Sequence, residues 1–561
     1  MRGAAFLSCA LLAAGLDNGV GRVPARGWSS WYSAPAGGSG VTDAMVRANA
    51  EALVSSGLAA KGYTYVNVDE GWLGGRYANG SLFELRSSFP YGMKALGDYV
   101  RSLETAPGSG ERLAYGLYSC RGSCQCSTSS YSGPGSAGHE AADTAWMIAA
   151  GATWLKIDSC CASQDHATAF ADYARFRDAM NASGVPVFFN LCGWSPWYAP
   201  PDPALNYSGG GSLGNSWRIS GDGASYAAIT ATANVMASFG GRFSAPGGYS
   251  DADNILGPHG TVGVVSEAQA RAQMILWSLF PSQLILGEDL TRASAEYLAT
   301  VGNEELLAVN ADAPYAGGAV RVAGGDLAWP CALPPGALYA LRALPCAAGG
   351  GGGGGDAAPL QRWAFEPSDG SLRLASPPPG AEGARAALAP GAAAEDGALV
   401  YVFPPGAGGA ADLAPPAAGT VRGPGGKCLD EYMLTTPRVD IWSCVGQANE
   451  VWQRGAGGTL VNNDSSLCLT AAPPGDDCTN VWARPLHDGG LALAFVNNAP
   501  QAAVVECGAA CFAAANASGA PRWRVRDMIA HAELGVITPP FALQVNVSGG
   551  GAGAALRLYP A

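Results

Sequence analysis

Two acidic residues, Asp158 and Asp222, are the strongest candidates for chemistry in this 561-residue chain. Asp158 ends the apolar stretch 153–157, and Asp222 ends the segment Ser216-Trp-Arg-Ile-Ser-Gly-Asp222. Alternate side chains of a strand share a face, so Lys156 and Asp158 point to the same side. Charged groups in an apolar strand are costly unless they are paired or used. An ionised and a protonated carboxyl group are what a glycosidase requires, although Asp158 alone is equally compatible with a helix N-cap.

The composition excludes several function classes. Charged residues make up 14% of the chain, the net charge is -13 and the sequence pI is about 4.9. This balance argues against nucleic acid or an anionic membrane as the partner, and it is compatible with a neutral substrate. A chain of this length is too long for one core, so we expect several domains.

The N-terminal segment 1–15 has the pattern of a secretory signal peptide. It carries one positive charge, then a short apolar run, then small residues. The run is too short to span a membrane, and a buried N-terminal helix is the alternative interpretation.

The cysteines and glycosylation sequons also indicate the secretory route. Of 15 cysteines, Cys9 lies in the signal segment, and short spacings predict several disulfides. The predicted pairs are Cys331/Cys346, Cys428/Cys444, Cys468/Cys478 and Cys507/Cys511. Asn-X-Ser sequons occur at Asn79, Asn181, Asn206, Asn463, Asn516 and Asn546. The sequence has no histidine cluster beside the cysteines, so we do not expect zinc.

The elements that must position the two acids alternate between strands and helices as far as about residue 301. The predicted strands are Gly62–Val68, Leu113–Tyr118, Thr153–Ile157, Val185–Leu191, Arg242–Ser244 and Gln283–Leu286. The predicted helices are Asp43–Ser56, His139–Ala150, Asp165–Met180 and Ser266–Phe280. This alternation predicts a parallel barrel or a doubly wound sheet. Polar residues recur at strand ends and the sequence has no glycine-rich phosphate loop after the first strand, which favours a TIM (β/α)8 barrel.

The pattern changes after residue 302. Gly349–Gly355 form an uninterrupted glycine linker, and similar tryptophan signatures occur at Gln361-Arg-Trp363 and Asn449-Glu-Val-Trp-Gln453. One tryptophan per repeat predicts a β-trefoil-like module, and short alternating strands from Val481 onward predict an antiparallel β-sandwich.

Residues 16–310 resemble the α-galactosidase family, glycoside hydrolase family 27. The motifs that carry the resemblance are Leu16-Asp-Asn-Gly19, Gly27-Trp-Ser-Ser-Trp31, Tyr65-Val-Asn-Val-Asp-Glu-Gly-Trp72, Gly116-Leu-Tyr-Ser119, Gly135-Ser-Ala-Gly-His139, Trp154-Leu-Lys-Ile-Asp-Ser-Cys160, Trp217-Arg-Ile-Ser-Gly-Asp222, Gly247-Gly-Tyr-Ser-Asp-Ala-Asp253, Gln273-Met-Ile-Leu-Trp277 and Leu307-Ala-Val-Asn310. The resemblance implies a retaining α-galactosidase with a barrel and a C-terminal β-sandwich, working without a metal or organic cofactor.

The resemblance also implies a role for each site residue. Asp158 would be the nucleophile, Asp222 the general acid/base, and Arg218 a contact to the 2-hydroxyl of the sugar. The implied pocket for the terminal sugar consists of Trp31, Asp69, Glu70, Tyr118 and Lys156. Trp31 and Tyr118 are also compatible with ordinary core aromatics.

Three positions depart from the family pattern. Glu70 stands where most α-galactosidases have a second aspartate, and in this it is similar to β-L-arabinopyranosidases, whose sugar lacks the hydroxymethyl group. Gly193 stands where many members place a glutamate facing the 2-position of the sugar. The cysteine expected before Trp217 is absent, so we expect Cys192 to be a free thiol.

Residues 323–480 are predicted to be an insertion, because the usual sandwich would follow directly on Asn310. The segment resembles a ricin-type lectin repeat, in which Asp430, Trp442 and Asn449 would form a galactose pocket; a structural trefoil without a ligand is the alternative. The predicted domains are therefore 1–15 signal peptide, 16–302 barrel, 303–322 start of the sandwich, 323–480 insertion and 481–561 remainder of the sandwich.

Three functions follow for testing. The first is an α-galactosidase acting on galactose-containing oligosaccharides, glycolipids or wall polysaccharides, in an extracellular, vacuolar or lysosomal location. The second is a β-L-arabinopyranosidase, and the third is a galactose-binding protein with an inactive barrel. The sequence predicts no membrane span and leaves the oligomeric state open.

Overall fold

The computed structural model describes most of the two predicted enzyme domains and parts of the insertion. The described residues are 18–35, 38–126, 133–312, 318–325, 331, 333–346, 359–366, 368, 371–389, 394, 398–405, 413–417, 419–431, 439–442, 444, 448–455, 458–473 and 478–561. The predicted signal peptide and the glycine linker Gly349–Gly355 lie outside them. No helix among the described residues is both long and apolar enough to cross a bilayer.

Eight parallel strands form the first domain, which confirms the predicted barrel. The strands to residue 286 are β1 (Arg26–Ser29), β2 (Tyr65–Val68), β3 (Leu73–Arg76), β4 (Leu82–Glu84), β5 (Ala114–Cys120), β6 (Ala152–Asp158), β7 (Phe188–Cys192), β8 (Ser216–Arg218), β9 (Tyr249–Asp251) and β10 (Leu284–Leu286). Their order is β10-β1-β2-β5-β6-β7-β8-β9, and β3 and β4 form a separate hairpin. A parallel bridge between Ile255 and Leu286 connects the two ends of the sheet.

Helices cover the outside of the barrel. They are α1 (Asp43–Ser55), α2 (Met93–Val100), α3 (Glu140–Ala149), α4 (His166–Ser183), α5 (Tyr226–Phe239), α6 (Glu267–Leu279), α7 (Ala295–Val301) and α8 (Glu304–Asn310). Side chains cap the N-termini of α1, α4 and α5: Thr42, Asp165 and Ser225 each accept a hydrogen bond from a backbone N–H of the first turn. Ser266 forms a full capping box with Gln269 at α6.

One predicted strand is wrong. Residues 242–244 form a turn rather than a strand, because α5 ends at Gly240 in the left-handed conformation and the Arg242 N–H donates to the Phe239 carbonyl. The strand of this unit is β9, which begins only at Tyr249. Strands β1 and β8 were missed because each is short and carries an arginine.

The C-terminal domain is an antiparallel sandwich. Its strands are β11 (Val320–Gly324), β24 (Thr479–Pro485), β25 (Leu491–Asn497), β26 (Ala503–Cys507), β27 (Trp523–Asp527), β28 (Ala532–Ile537), β29 (Leu543–Val547) and β30 (Ala552–Pro560), with helix α9 (Ala509–Ala514) after β26. One sheet has the order β11-β24-β25-β30-β27-β28, and β26 pairs with β29. Helix α8, inside the segment predicted to start the sandwich, packs Leu306 and Val309 into the core of the barrel.

The remaining strands lie between β11 and β24, which are direct neighbours. They are β12 (Tyr339–Leu344), β13 (Trp363–Phe365), β14 (Leu372–Leu374), β15 (Arg385–Leu388), β16 (Ala398–Phe403), β17 (Ala414–Ala417), β18 (Thr420–Arg422), β19 (Cys428–Glu431), β20 (Val439–Trp442), β21 (Trp452–Arg454), β22 (Leu460–Asn462) and β23 (Cys468–Ala472). Trp363 and Trp452 are buried, and their indole N–H groups donate to the carbonyls of Leu469 and Leu429. The two tryptophan signatures therefore have equivalent contacts, while the trefoil assignment and the domain boundaries stay predictions.

Six disulfides connect described cysteines. They are Cys124–Cys161, Cys126–Cys160, Cys331–Cys478, Cys346–Cys468, Cys428–Cys444 and Cys507–Cys511. The last two confirm predicted pairs. The predicted pairs Cys331/Cys346 and Cys468/Cys478 are wrong, because β12 and β23 are antiparallel and Leu344 lies opposite Cys468. This register brings cysteines together that are distant in sequence.

Candidate active site

Asp158 is a buried carboxyl group at the carboxyl end of β6. Its side chain accepts a hydrogen bond of 2.8 Å from the Ser159 N–H and one of 3.1 Å from the Tyr118 hydroxyl. Burial raises the pKa of Asp158 to about 6, while the charge of Lys156 acts to lower it and that of Asp222 acts to raise it. Asp158 is therefore fixed in orientation and ionised at neutral pH.

Lys156, two residues earlier on β6, forms an ion pair with Asp69 rather than a hydrogen bond with Asp158. The distance from Lys156 Nζ to Asp69 Oδ2 is 2.9 Å, and Asp69 also accepts from the Ser29 hydroxyl at 3.2 Å. Burial acts to lower the pKa of Lys156, but Asp69 holds that pKa well above its usual value. The site thus contains a permanent cation beside the buried acid, and its charge is shared with a second carboxylate.

Asp222 lies in a different environment. Arg218, at the end of β8, is buried and donates from Nη2 to Asp222 Oδ1 at 3.0 Å. The Asp222 side chain keeps 40% of its surface exposed, whereas the arginine keeps 3%. The carboxyl group therefore meets solvent at the mouth while its partner is held inside the barrel, which suits a group that exchanges protons.

Glu70 belongs to the same hydrogen-bond network as Asp158. The Tyr118 hydroxyl lies 3.3 Å from Glu70 Oε2 and 3.1 Å from Asp158 Oδ2. Burial, followed by the charge of Asp158, raises the pKa of Tyr118 well above its usual value, so the hydroxyl remains a donor. A shorter side chain at position 70 would therefore change the hydrogen bonding of Tyr118, which also contacts the nucleophile candidate Asp158.

A cleft inside the barrel joins four of the predicted site residues. Its empty volume is about 350 Å³, and Asp69, Tyr118, Lys156 and Arg218 are part of its lining. Trp31 has a different position: it is half-buried at the edge of the barrel core, with its ring against Gly38. Its role as a pocket wall stays a prediction.

The predicted site did not include several polar residues of the cleft lining, among them Asn190, Asp251 and Asp253. Asn190 donates to Asp251 Oδ2 at 2.8 Å, which connects the middle of β7 to the end of β9. The signal was present, since both aspartates belong to the motif 247–253. The role of each depends on contacts with other strands, which the motif does not reveal.

Gly193 is required by a close approach. A Cβ atom at this position would lie 1.9 Å from the ring of Tyr198. A glutamate, as many family members carry, has no room here in this chain. The glycine at position 193, which departs from the family pattern, is therefore required by the position of the Tyr198 ring.

Two of the residues predicted to form a lectin pocket contact each other, and the third contacts the barrel. Asn449 donates to Asp430 Oδ2 at 2.6 Å. Trp442 packs against Ala228 and Ala231, which lie on α5 of the barrel. The ring that would stack on a sugar thus lies against a helix.

Two described cysteines, Cys120 and Cys192, are free and buried, which confirms the prediction for Cys192. Among the described residues, one group of three sulfur atoms has a spacing suited to a metal ion: Cys120, Cys126 and Cys160. Because Cys126 and Cys160 form a disulfide, they supply no thiolate ligands.

Two family models match this chain. Residues 35–312 match the one described as alpha galactosidase A, and residues 476–554 match the alpha galactosidase C-terminal beta sandwich domain. The part of the chain between the two matches contains most of the predicted insertion, and the second match begins at residue 476, within its last residues.

Curated proteins similar to the chain include an alpha-galactosidase of Oryza sativa subsp. japonica, 34% identical over 313 residues, which are 55% of this chain and 69% of the relative. A probable alpha-galactosidase of Dictyostelium discoideum is 33% identical over 309 residues, 53% of this chain and 70% of the relative.

Solved structures share the fold at low sequence identity. Alpha-galactosidase I of Mortierella vinacea is 18% identical and superimposes with a TM-score of 0.59 over 97% of this chain and 98% of its own. A β-L-arabinopyranosidase of Geobacillus stearothermophilus is 16% identical, with a TM-score of 0.54 over 96% of this chain and 97% of its own.

Proposed function

This chain belongs to the α-galactosidase family, and from that premise we propose that Asp158 and Asp222 carry a retaining hydrolysis that releases terminal α-D-galactose. The observation that supports this assignment is the contrast between the two acids at one mouth. Asp158 is buried and held by two donors, whereas Asp222 is bound to a buried arginine and reaches solvent.

The first step forms a covalent intermediate. The ionised Asp158 carboxylate attacks the anomeric carbon while Asp222 donates its proton to the leaving oxygen. The hydrogen bonds from Tyr118 and Ser159 hold the attacking carboxylate in place, so the carboxylate loses little orientational entropy when it attacks.

The second step returns the enzyme to its starting state. Asp222, now ionised, takes a proton from water, and the water oxygen attacks the anomeric carbon. The bond to Asp158 breaks, and the sugar leaves with the configuration it had in the substrate. The exposure of Asp222 gives that water a route to the site.

The predicted sugar pocket has the chemistry for several hydroxyl groups. The Lys156–Asp69 pair presents a donor and an acceptor side by side, and Arg218 supplies a second buried cation. Fixed charges in a buried cleft orient a neutral polyol through hydrogen bonds. The natural substrates we propose are galactose-containing oligosaccharides, glycolipids or wall polysaccharides.

A second candidate activity, β-L-arabinopyranoside hydrolysis, is favoured by Glu70. Its carboxylate extends one methylene beyond an aspartate and lies against Tyr118. That extra length suits a sugar lacking the hydroxymethyl group. Parallel assays on the p-nitrophenyl α-D-galactoside and β-L-arabinopyranoside compare the two, and a higher kcat/KM on the arabinoside would replace the galactosidase proposal.

The nucleophile assignment has its own test. A fluorinated galactosyl inhibitor should trap the covalent intermediate, and peptide mass spectrometry should find the adduct on Asp158. The variant Asp158→Asn, treated in the same way, is the matched control and should remain unlabelled. An adduct on any other residue contradicts the mechanism.

We also propose passage through the secretory pathway. The asparagine of every predicted sequon is exposed: Asn79, Asn181, Asn206, Asn463, Asn516 and Asn546. Exposure is what attachment of a glycan requires. A mass decrease after glycosidase treatment of the protein from its native source checks this, and an unchanged mass contradicts it.

A further inference from the structure

Asp253 follows β9 in a loop with a strained backbone. Its φ angle is +76°, a region that residues other than glycine rarely occupy. The side chain is almost wholly buried. Strain of this kind persists where the surrounding contacts over-determine the conformation, and such positions cluster at active sites.

The Asp253 carboxylate supplies those contacts. Its Oδ2 atom accepts from the Tyr32 hydroxyl at 2.6 Å and from the Gly223 N–H at 2.6 Å, and it lies 3.1 Å from Arg218 Nη2. Its Oδ1 atom accepts from the Asn254 N–H at 2.7 Å. A buried carboxylate with four donors has one orientation, and hydrogen bonds that involve a charge are the strong ones.

Two of these donors lie on either side of Asp222 in the chain. Gly223 follows it directly, and Arg218 binds Asp222 Oδ1 with the same Nη2 atom that contacts Asp253. Arg218 also donates to the Gly221 carbonyl at 2.8 Å. The turn that presents Asp222 is therefore anchored to Asp253 at both ends.

Asp253 also shares the charge of Arg218. The guanidinium is buried and faces two carboxylates, so each neutralises part of it. Without Asp253, the guanidinium would no longer be held between two carboxylates and would pair with Asp222 without this second anchor.

We propose that Asp253 is a positioning residue for proton transfer: it orients the turn that carries Asp222 and divides the charge of Arg218. The proposal rests on the proposed role of Asp222 as the general acid/base. Asp253 acts on proton transfer through its contacts with Gly223 and Arg218.

The test compares two substrates that differ in their need for an acid. The leaving group of melibiose is a sugar hydroxyl oxygen, which needs a proton as the glycosidic bond breaks. The leaving group of p-nitrophenyl α-galactoside is a stabilised phenolate, which needs a proton far less. We expect Asp253→Asn to lower kcat/KM on melibiose about 100-fold and on the aryl galactoside less than tenfold. An equal fall on both substrates, or no fall on either, overturns the proposal.

Parallel variants separate the possible failures. Asp222→Ala should show the same split between substrates, only larger; if it does not, the proposed acid/base is wrong. If Asp222→Ala shows the split and Asp253→Asn does not, only the positioning role is wrong. Asp143→Asn is a matched control, because Asp143 is a buried acid paired with Arg76 away from this turn. In this variant the ratio of kcat/KM on melibiose to kcat/KM on the aryl galactoside should not change.

A milder variant covers the case in which Asp253→Asn does not fold. Tyr32→Phe removes one donor to Asp253 and leaves the ring in place. We expect a split in the same direction of about threefold to tenfold, with unchanged circular dichroism. A folded Tyr32→Phe enzyme with equal losses on both substrates counts against the proposal.

Discussion

The mouth of the barrel and the pocket predicted in the insertion are built from the same kinds of residue. Each has a buried acid, a polar partner and an aromatic ring. In the barrel, four of the predicted site residues, Asp69, Tyr118, Lys156 and Arg218, line a cleft. In the insertion, Asp430 holds Asn449 and Trp442 packs on α5. The same residue types thus have different surroundings in the two regions, a cleft in the barrel and a helix beside Trp442.

The largest expected effect concerns the nucleophile. Asp158→Ala should lower kcat on p-nitrophenyl α-galactoside by about 10⁴-fold or more, because no other group described at the site is held for attack on the anomeric carbon. Activity assays on the purified, folded variant check this. Asp430→Ala is the matched change in the insertion and should keep full activity on this substrate; a loss there comparable to that of Asp158→Ala would break the contrast between the two regions.

The second prediction concerns pH. Burial raises the pKa of Asp158 to about 6, so kcat/KM should fall about tenfold per pH unit below that value as the nucleophile gains a proton. Lys156 lowers this pKa, so Lys156→Met should move the acid limb to higher pH. A pH–rate profile of both proteins measures the limb. A limb that stays fixed in the variant would show that another group controls it.

A smaller effect is expected at Glu70. Glu70→Asp should shift the ratio of kcat/KM values toward the α-galactoside and away from the β-L-arabinopyranoside by about threefold to tenfold, because the shorter side chain leaves room for a hydroxymethyl group. Measurement of both substrates on both proteins gives the ratio. An unchanged ratio would remove Glu70 from the specificity argument, and Glu70→Gln, which keeps the length, serves as the control.

The smallest effect is expected in the insertion. Trp442→Ala should change kcat on the aryl galactoside less than twofold, while removing about 1–2 kcal/mol of apolar packing against α5. Differential scanning fluorimetry should show a lower Tm. Ala231→Glu, made on the barrel side of the same contact, should destabilise in the same direction. Loss of galactose binding in Trp442→Ala with an unchanged Tm would instead support the lectin hypothesis.

The sequence predicted the parts of the molecule that depend on local order. The barrel, its helices and the meeting of Lys156, Asp158 and Tyr118 follow from strand periodicity and motif order. It failed where distant segments decide the outcome. The pairing of Cys346 with Cys468 depends on the antiparallel register of β12 and β23. The contacts of Trp442 and Asp253 likewise depend on elements far away in the chain, which a single motif does not encode.

Strands β11 and β24 are hydrogen-bonded neighbours, which matters for engineering the segment between them. The chain between β11 and β24, which contains most of the predicted insertion, leaves one strand of the sandwich and returns on its hydrogen-bonded neighbour, and Cys331–Cys478 connects its two ends. Its two ends therefore lie side by side, as the ends of a hairpin loop do. Because insertions are tolerated where their two ends lie close together, we expect that replacing this segment by a short turn would leave the register of β11 and β24 unchanged.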